Sequence, residues 1–500
     1  MNPIDDLNYQ AEVHSDAVAI VAGDAEWTYR QLQIAVDRLA AGFRARGIGF
    51  GDRVALHLPT SPEIVTAYYA CFRVGAIASP LNLRFKGAKL EQILRRLRPV
   101  LYLGEENLYA EVLRIAPGVL PPGIRFVTGQ SRPPGAQPWS ALFATESDLV
   151  SAEPPPADAP AVLLTTSGTT GFPKFVTHTG STLSAITTAI VRIDLDSRQI
   201  VINTLPMVHG AGLILLLGAM RVGAPLVLLS GFDPDAVLDA IAAHHGSWVL
   251  GLPFMFDALL ASQQRRRRDI GSLQFCCSVG DVCPVSLQVR VEAEFGRPLR
   301  SLWGSTETVG SLIYGLRAGP ISRIARGAQV RLLDERGEQV RRGAVGELAI
   351  RGPNVTTGYW TEPGRIDPIA ADGWFRTGDL MRQDGDELWF VSRKKDLIVR
   401  GGSNISPVEV EQALLIHPLV VDAAVVGVAD LVLGQQVAAA VQLADNAGAD
   451  ALNIIRTEVG SRLADYKVPE WLVALEAIPR NPMGKVDRAA LAEVAVARRA

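Results

Sequence analysis

Short apolar strands and helical patterns alternate along the first hundred residues, and this alternation restricts the fold more than any other feature of the sequence. A helix is predicted over 28–47, where Thr28 and Gln31 have the spacing of a capping box and apolar residues recur at helical intervals. Residues 53–58 form a predicted strand, and 62–74 a predicted helix with proline in its first turn. Strands that alternate with helices in this way are typical of a parallel sheet covered by helices.

The pattern changes twice in the second half of the chain. From about Arg323, short β-rich runs alternate with Asp and Gly turns, which predicts a small antiparallel β unit. Beyond Lys395 the elements are short and mixed, and the chain ends in an Ala-rich helix from about Arg488. The predicted fold is therefore α/β, with a large N-terminal domain of helix-covered, mostly parallel sheets plus the β unit, followed by a small α+β C-terminal domain.

Composition and charge exclude several classes of protein. Apolar residues make up 48% of the chain and charged residues 20%, as in ordinary globular proteins. The formal net charge of −3 at pH 7 provides no basic surface for nucleic acid. The longest apolar stretch, 211–220, is far shorter than the roughly 20 residues that span a bilayer, and the N-terminus lacks the segments of a secretory signal. We therefore expect neither nucleic-acid binding nor integral membrane association.

Cysteine usage indicates a reducing cytoplasm. The sequence has four cysteines, and three of them, Cys276, Cys277 and Cys283, are too close together for a disulfide framework. No second group of His and Cys completes four ligands, so buried thiols are favoured over a zinc site. One block of arginines, 265–268, is interpreted as a solvated helix end in preference to a phosphate site.

The segment 162–178 carries the strongest sign of chemistry. An apolar strand runs into a loop, from Thr166 to Lys174, that holds four Thr or Ser hydroxyls, two glycines and a lysine. Such groups can surround phosphate oxygens with N–H donors, hydroxyls and a cation. The spacing differs from the Walker pattern, because Gly168 and Gly171 are three apart and a strand is predicted after the lysine. Taken alone, the segment fits a phosphate-binding loop or a Ser/Thr-rich hairpin turn.

Five later segments accompany this loop. The six motifs are, in order, Thr166-Ser-Gly-Thr-Thr-Gly-Phe-Pro-Lys174, Trp303-Gly-Ser-Thr-Glu307, Trp374-Phe-Arg-Thr-Gly-Asp379, Ser392-Arg-Lys-Lys-Asp-Leu-Ile, Gly401-Gly-Ser-Asn-Ile-Ser-Pro407 and Pro479-Arg-Asn-Pro-Met-Gly-Lys485. In kind and order they resemble the signatures of the AMP-forming adenylate superfamily, which includes acyl-CoA synthetases, aryl-CoA ligases, peptide-synthetase adenylation domains and firefly-type luciferases. The resemblance covers essentially the whole chain, and six motifs in order leave little room for chance.

The resemblance implies a site for the triphosphate of ATP and for Mg²⁺. Thr306 would hydrogen-bond the α-phosphate, and Glu307 with Thr170 would hold Mg²⁺, a hard cation suited to carboxylate, hydroxyl and phosphate oxygens. The loop residues that would grip the β- and γ-phosphates are Thr166, Ser167, Gly168, Thr169, Thr170, Gly171 and Lys174.

The same resemblance assigns the nucleoside. Trp303 would offer its flat face to adenine, with Gly304 and Ser305 beside it. Asp379 would accept both ribose hydroxyls, since a carboxylate has lone pairs for two donors. Arg393 matches the arginine that contacts the same ribose.

Three positions depart from the family's pattern. Phe175 stands where the first motif commonly has glycine, Asp281 and Val282 replace small residues, and Lys395 replaces a frequent aspartate. Gly280 and Asp281 are predicted at the nucleotide. There the Asp281 carboxylate either binds the exocyclic amine of adenine or selects a cationic acid. None of these changes removes a reacting group.

Lys485 would bridge the acid carboxylate and the α-phosphate during adenylation, again by resemblance. The family carries out its second half-reaction after the C-terminal domain rotates. The resemblance therefore implies an N-terminal adenylation domain, 1–394, and a mobile C-terminal domain, 395–500, joined by a hinge near Lys395.

The acceptor of the acyl group is predicted to be CoA. Gly401 and Gly402 would let the backbone approach a pantetheine chain closely, and the Gly-Gly-x-Asn-x-x-Pro form resembles the acyl-CoA ligase branch. Two alternatives stay open. One is transfer to the phosphopantetheine of an acyl carrier protein, and the other is a catalytically silent nucleotide-binding protein, which would be expected to lack Lys485 or Glu307.

His209 matches a position that lines the acid pocket in the family, and it is a further candidate catalytic residue. The pocket is predicted between His209, residues 253–254, residues 279–283 and the residues after Glu307. Most of these are apolar, so we expect an acid with an apolar tail. The predicted enzyme is an acyl-CoA synthetase that uses ATP, Mg²⁺ and CoA and acts on a small-molecule carboxylic acid.

Overall fold

The computed structural model describes residues 2–116, 118–144, 155–166, 173–192, 195–309, 313–315, 318–321, 323–325, 327–481 and 485–497. Its helices are α1 (Pro3–Val13), α2 (Tyr29–Ala45), α3 (Pro62–Val74), α4 (Gly87–Leu97), α5 (Tyr109–Val112), α6 (Gly180–Val191), α7 (Gly210–Val222), α8 (Pro234–His244), α9 (Pro253–Arg265), α10 (Val285–Phe295), α11 (Pro407–Leu415), α12 (Ala451–Gly460) and α13 (Arg488–Ala497).

The strands fall into four sheets. They are β1 (Val18–Ala22), β2 (Ala25–Thr28), β3 (Arg53–His57), β4 (Ile77–Pro80), β5 (Leu101–Glu105), β6 (Arg125–Thr128), β7 (Gln137–Pro138), β8 (Pro160–Thr165), β9 (Phe175–Thr179), β10 (Val201–Asn203), β11 (Leu226–Leu228), β12 (Trp248–Gly251), β13 (Phe275–Ser278), β14 (Leu299–Trp303), β15 (Ile313–Tyr314), β16 (Arg323–Ile324), β17 (Gln329–Leu333), β18 (Val345–Arg351), β19 (Gly358–Glu362), β20 (Arg365–Pro368), β21 (Phe375–Asp384), β22 (Glu387–Arg393), β23 (Ile398–Arg400), β24 (Ser403–Ile405), β25 (Val420–Asp430), β26 (Gly434–Leu443) and β27 (Trp471–Ala474).

Two nine-stranded sheets form the centre of the N-terminal part. The first has the order β16-β15-β14-β13-β12-β10-β11-β1-β2, and its strands are parallel from β14 to β1. The second has the order β20-β19-β9-β8-β4-β3-β5-β6-β7, parallel from β8 to β7. The predicted α/β class with mostly parallel sheets is confirmed.

Helices fill the space between the sheets and cover their outer faces. Between the sheets, α2 packs on α3 and α6 on α7. Their buried side chains, such as Leu39, Tyr68, Ile186 and Leu216, form one core with strands of both sheets. The outer face of the first sheet is covered by α8, α9 and α10, and that of the second by α4 and α5. This layering follows from strands that are apolar on both faces.

Local sequence signals account for the helix ends near the N-terminus. The Thr28 hydroxyl accepts a hydrogen bond from the Gln31 amide at 3.2 Å, and the Gln31 side chain accepts one from the Thr28 amide at 2.9 Å. This is the predicted capping box. Helix α3 begins at Pro62 and ends at Gly75, whose φ of 75° lies in the left-handed region that glycine adopts without strain. Both predicted helices are confirmed.

The predicted β unit is an antiparallel four-stranded sheet of order β17-β18-β21-β22. Its register pairs Asp379 of β21 with Arg393 of β22. Residues of two different motifs are thus neighbours across one pair of consecutive strands.

The C-terminal part has its own sheet and core. The strand order is β24-β23-β26-β25, with β27 parallel beside β26, and α11, α12 and α13 pack on this sheet. Helix α13 confirms the Ala-rich helix predicted from Arg488. Lys395 lies in a short turn between β22 and β23, and the division at this residue stays a prediction.

The block of arginines on and after α9 is satisfied by carboxylates of neighbouring helices. Arg268 is ion-paired with both Asp235 and Asp239, Arg265 with Asp235 and Arg266 with Asp239 at 3.0 and 2.6 Å, and Arg267 with Glu294. Because these cations already have partners, the block is a solvated ion-paired surface, as interpreted from the sequence.

The cysteines and the helices add two observations. Cys71, Cys276, Cys277 and Cys283 are buried free thiols. Across the ranges that the structure describes, no helix combines the length and the apolar character needed to cross a membrane.

Candidate active site

The candidate site lies at the carboxyl ends of the central strands of the first sheet. The strand order of the first sheet changes direction at β10, because β11 lies on one side of this strand and β12 on the other. Crevices at such switch points are the usual ligand sites of open α/β sheets. The loops that leave these strands carry His209 after β10, Phe254 after β12, Asp281 after β13 and Thr306 and Glu307 after β14.

The second sheet holds the Thr306–Glu307 segment in place. The Thr306 carbonyl accepts a hydrogen bond from Nε2–H of His178, on β9, at 2.9 Å. Burial lowers the pKa of His178 to about 4, so this imidazole is neutral at physiological pH. The Glu307 carbonyl accepts from the Thr356 amide at 2.7 Å, and the Thr356 hydroxyl donates to the Thr177 carbonyl at 2.5 Å. The segment is thereby fixed by its backbone.

The Glu307 side chain has a partner that the sequence analysis missed. The Tyr359 hydroxyl donates to Glu307 Oε1 at 3.1 Å, and Lys174 Nζ lies 4.6 Å from the centre of the Tyr359 ring. Burial, followed by the negative charge of Glu307, raises the pKa of Tyr359, so the phenol remains a donor. One tyrosine therefore contacts both the predicted metal ligand and the predicted phosphate lysine.

Thr166 and Lys174 are the two ends of a hairpin connection. The Thr166 amide donates to the Lys174 carbonyl at 3.0 Å, which extends the antiparallel pairing of β8 and β9. Lys174 is exposed. The predicted phosphate-binding residues between them, Ser167, Gly168, Thr169, Thr170 and Gly171, lie outside the described residues.

The buried position of Phe175 accounts for its departure from the family pattern. The side chain is 1% exposed and belongs to the core between β9 and α4. The Arg96 guanidinium lies over its ring at 5.7 Å from the centre. A glycine here would leave that space without packing.

Trp303, Asp379 and Arg393 form a connected group. The Trp303 indole N–H donates to Asp379 Oδ2 at 2.8 Å, and Arg393 Nε lies 3.3 Å from Asp379 Oδ1. The carboxylate is 6% exposed, and this burial raises the pKa of Asp379 against the opposing effects of Arg393, Trp303 and Lys485. The structure thus joins three predicted nucleoside residues from separate motifs.

Lys485 reaches this group from the C-terminal part of the chain. Its main chain is held by Asn481, whose side chain accepts from the Lys485 amide at 3.2 Å and whose amide donates to the Lys485 carbonyl at 2.8 Å. Burial lowers the pKa of Lys485, the charge of Arg393 lowers it further, and the carboxylates Asp281 and Asp379 oppose this. The lysine therefore shares one electrostatic environment with the predicted nucleoside residues.

His209 is close enough to Lys485 for their charges to interact. Burial lowers the pKa of His209 to about 4, and the positive charges of Lys485 and Arg84 act in the same direction. This imidazole is neutral at physiological pH. Arg84 was not predicted as a site residue, because a lone arginine in a loop carries no motif.

The residues predicted to line the acid pocket have different surroundings. Phe254 packs edge-on against Phe232, with ring centres 5.8 Å apart, and Arg480 lies over the Phe254 ring at 5.8 Å. Val279 is buried in the core between the sheets. Cys283 is buried in the core on the outer face of the first sheet, beside α10, and its place in the acid pocket stays a prediction.

Asp281 lies in a cleft between the N-terminal and C-terminal parts. This cleft has a volume of about 530 Å³ and is lined by α9 and α10 on one side and by α11, β25 and Arg488 on the other. The Asp281 side chain is exposed and accepts from the Val282 amide at 2.9 Å. It faces Lys485 and Arg488 across the cleft.

The glycine and serine candidates occupy turns. Gly280 has a φ of 87°, and Gly304 and Ser305 directly follow β14. The Ser305 Oγ is buried without a hydrogen-bond partner among the described residues, as expected for a group that awaits a ligand. Gly401 and Gly402, with φ of 55° and 80°, form the tip of the β23–β24 hairpin. The described contacts of this tip are within the C-terminal part, where the Gly401 amide donates to Leu433.

Models of two known families match most of the chain. The model of the AMP-binding enzyme family matches residues 7–360, and the model of the AMP-binding enzyme C-terminal domain matches residues 409–485. The first match includes Thr306 and Glu307 and the second includes Lys485, whereas Asp379 and Arg393 lie between the two matches.

Individual relatives match over most of their length. The indoleacetate–CoA ligase of Aromatoleum aromaticum is 32% identical over 492 residues, which cover 96% of this chain and 96% of that protein. The medium-chain fatty-acid–CoA ligase of Escherichia coli is 32% identical over 501 residues, 96% of this chain and 88% of that protein. The crystal structure of an anthranilate CoA ligase with anthranoyl-AMP has the same fold, with a TM-score of 0.92, 24% identity and coverage of 100% and 98%.

Proposed function

This chain belongs to the AMP-binding enzyme family, and from that premise we propose that it is an ATP-dependent acid–CoA ligase. A carboxylate oxygen attacks the α-phosphorus of ATP, the bond to pyrophosphate breaks, and an acyl-adenylate forms. The thiol of CoA then attacks the acyl carbon, loses its proton to solvent, and releases AMP.

One observation carries the proposal: Lys485, from the last segment of the chain, lies in the electrostatic environment of Asp379, Arg393 and His209. Asp379 and Arg393 are the predicted ribose contacts, and His209 borders the predicted acid pocket. We assign to this ammonium the place where the carboxylate and the α-phosphate would meet. Such a cation stabilises charge that accumulates on phosphate oxygens in the transition state.

The neutral His209 fits a binding role. A carboxylic acid has a pKa near 4 and is already ionised at physiological pH, so the first step needs no general base. With its pKa at about 4, His209 would be a poor base but could donate one hydrogen bond to the acid. We therefore assign charge stabilisation to Lys485 and orientation of the acid to His209.

The donor set around Glu307 fits Mg²⁺ bound together with the triphosphate. Among the described residues, no group of three or more His, Cys, Asp and Glu side chains could hold a metal by itself. Mg²⁺ usually binds through one or two carboxylates and the phosphates of a substrate, which matches the single carboxylate of Glu307. When bound, the ion would neutralise phosphate charge; Glu307 would hold it, and Thr170 is the second predicted ligand.

The acid is proposed to have an apolar body. Phe254 follows β12 at the same edge of the first sheet as His209, and it packs against Phe232. Apolar side chains with few polar groups favour such ligands. Two relatives of equal identity are named for indoleacetate and for medium-chain fatty acids. These two relatives therefore support aromatic and aliphatic acids equally as substrates.

CoA is proposed as the acceptor in preference to a carrier protein. The support comes from the Gly401–Gly402 turn, whose bare backbone leaves space for a pantetheine chain, and from relatives named as CoA ligases. As the family resemblance implies, the second half-reaction would require rotation of residues 395–500 about Lys395, which would bring this turn to the site. Four buried free cysteines agree with a reducing cytoplasm, which we propose as the location.

The test is a screen of pyrophosphate release over short, medium and long aliphatic and aromatic acids, with and without CoA. Turnover that depends on CoA and on one class of acid, with acyl-CoA and AMP as products, is the expected result. A single burst of pyrophosphate that CoA does not extend would favour a carrier protein as the acceptor. If no acid releases pyrophosphate while ATP still binds, the enzyme assignment fails and a silent nucleotide-binding protein remains.

A further inference from the structure

Tyr359 lies where two predicted phosphate-site groups meet, and no sequence motif pointed to it. Its hydroxyl donates to Glu307 Oε1 at 3.1 Å, and its ring face carries Lys174 Nζ at 4.6 Å from the centre. The two contacts use different parts of the side chain. A phenylalanine would keep the second and lose the first.

The backbone around Tyr359 is fixed on both sides. Tyr359 pairs with Val176 across the β19–β9 ladder. The preceding Gly358 has a φ of 152°, and a Cβ added there would lie 2.1 Å from the Asp367 carbonyl oxygen. A larger residue at 358 would therefore move the tyrosine. The ring position is set by the sheet and is independent of any ligand.

The residues at the start of β19 also hold the backbone of Glu307. The Thr356 amide donates to the Glu307 carbonyl at 2.7 Å, and the Thr356 hydroxyl accepts from the Gly358 amide at 3.1 Å. Residues 356–359 thus contact Glu307 at its carbonyl and at its carboxylate. A structural tyrosine would need neither the second contact nor the lysine on its ring.

We propose that Tyr359 is a positioning residue that fixes the Glu307 carboxylate and the Lys174 ammonium relative to each other, so that they receive the metal-bound triphosphate together. This inference rests on the proposed function. Tyr359 orients one carboxylate oxygen of Glu307 and leaves the other for the ion. The negative face of the Tyr359 ring attracts the Lys174 ammonium. This contact keeps the lysine beside the loop that ends at Lys174.

Two substitutions separate the two contacts. Tyr359→Phe removes only the hydroxyl, whereas Tyr359→Leu removes the hydroxyl and the aromatic face. Tyr466 provides a matched control, because Lys467 Nζ lies over its ring at 5.8 Å in the C-terminal part. Tyr466→Phe and Tyr466→Leu change a Tyr–Lys pair of the same kind away from Glu307.

The readout is binding, measured on the full chain. Free Mn²⁺ is followed by electron paramagnetic resonance in the presence of α,β-methylene ATP, which cannot transfer its adenylate. Calorimetry then measures binding of the same analogue in EDTA. Tyr359→Phe is expected to weaken Mn²⁺ binding by about ten- to a hundredfold, the effect of losing one hydrogen bond to a charged group, and to leave the metal-free affinity unchanged. Tyr359→Leu is expected to weaken both.

A double substitution tests whether Tyr359 acts through Glu307. If Tyr359 acts through Glu307, then Tyr359→Phe combined with Glu307→Gln weakens Mn²⁺ binding no more than Glu307→Gln alone. Unchanged Mn²⁺ affinity in Tyr359→Phe, or equal losses with and without metal, would overturn the inference. Failure of the unmodified protein to bind Mn²⁺ with the analogue would instead defeat the proposed function. A circular-dichroism melt of each variant separates these results from misfolding.

Discussion

The nucleoside end and the triphosphate end of the candidate site are built in different ways. At the nucleoside end, Asp379 accepts from Trp303 and pairs with Arg393, and it is buried. At the triphosphate end, Glu307 has a hydrogen bond from one tyrosine, and the described contact of the Lys174 ammonium is with that tyrosine's ring. One end is completed by protein contacts before any ligand binds, whereas the other leaves charged groups available.

This difference follows from what each end must bind. Ribose hydroxyls are neutral donors, and a carboxylate that accepts them can be held in advance by an indole and a guanidinium, which offset part of the cost of burying its charge. A triphosphate brings several negative charges and its own cation, so groups that are already neutralised by protein would gain little from it. The variants below test whether the two ends differ in function as they do in structure.

The largest effect is expected from Lys485→Ala, which removes a charge that serves both ends. Acyl-adenylate formation should fall about 10²- to 10³-fold, as when one preorganised transition-state donor is removed. Conversion of a supplied acyl-adenylate to acyl-CoA should remain largely intact. Burst measurements of pyrophosphate and of thioester check the two half-reactions separately. Lys467→Ala, which breaks a surface pair with Glu409, is the control, and equal loss in both half-reactions would argue against two arrangements of the C-terminal domain.

Asp379→Ala should disrupt the preformed end. It removes the predicted ribose acceptor and leaves the Trp303 N–H without its partner. The KM for ATP is expected to rise roughly thirtyfold, in line with the loss of hydrogen bonds to a charged group, while the KM for the acid changes little. Initial rates at varied ATP provide the measurement, and Asp384→Ala, at the exposed end of the same strand, is the control. An unchanged KM for ATP would show that the ribose assignment is wrong.

Trp303→Phe is a finer test of the same end. The variant keeps an aromatic face for adenine and loses the N–H that orients Asp379. We expect the KM for ATP to rise about fivefold, which corresponds to one hydrogen bond, with kcat nearly unchanged. Trp471→Phe removes an indole hydrogen bond of the same length, to Gln436 at 2.8 Å, outside the site. Should both variants behave alike, the contact between Trp303 and Asp379 would be merely structural.

The smallest effect is a shift in pH dependence. The pKa of Lys485 is lowered from its ordinary value, chiefly by burial, so its ammonium is lost at a lower pH than that of a free lysine. Adenylation should be complete below this pKa and decline as pH rises through it. In Lys485→Arg the guanidinium stays charged, and the alkaline limb should move upward by at least about one pH unit. Pre-steady-state adenylation rates are measured across pH for both proteins. If the alkaline limb stays in place in Lys485→Arg, a group other than Lys485 is responsible for it.

Several parts of the fold could be predicted because their causes are local. The capping box at Thr28, the proline that opens α3 and the alternating pattern of the early strands act within a few residues. The β8–β9 pairing shows that Thr166 and Lys174 lie at the ends of a hairpin connection, and phosphate binding by the residues between them stays a prediction.

The site residues that were missed act through contacts between distant segments. Tyr359 and His178 lie on β19 and β9, yet they bond to residues that follow β14. No periodicity marks such a residue. The nearest local feature is Gly358, directly before Tyr359, and its φ of 152° is visible only in the structure.

By itself the sequence determined the class of the chain, the order of its motifs and the chemical groups available for phosphate, ribose and metal. These depend on residue type and on short-range spacing. Only the tertiary structure decided which of those groups share a site: the β21–β22 register brings Arg393 to Asp379, and the packing of the C-terminal part brings Lys485 to both. The physical reason is that charges and hydrogen bonds act over a few ångströms in space, whatever the distance along the chain.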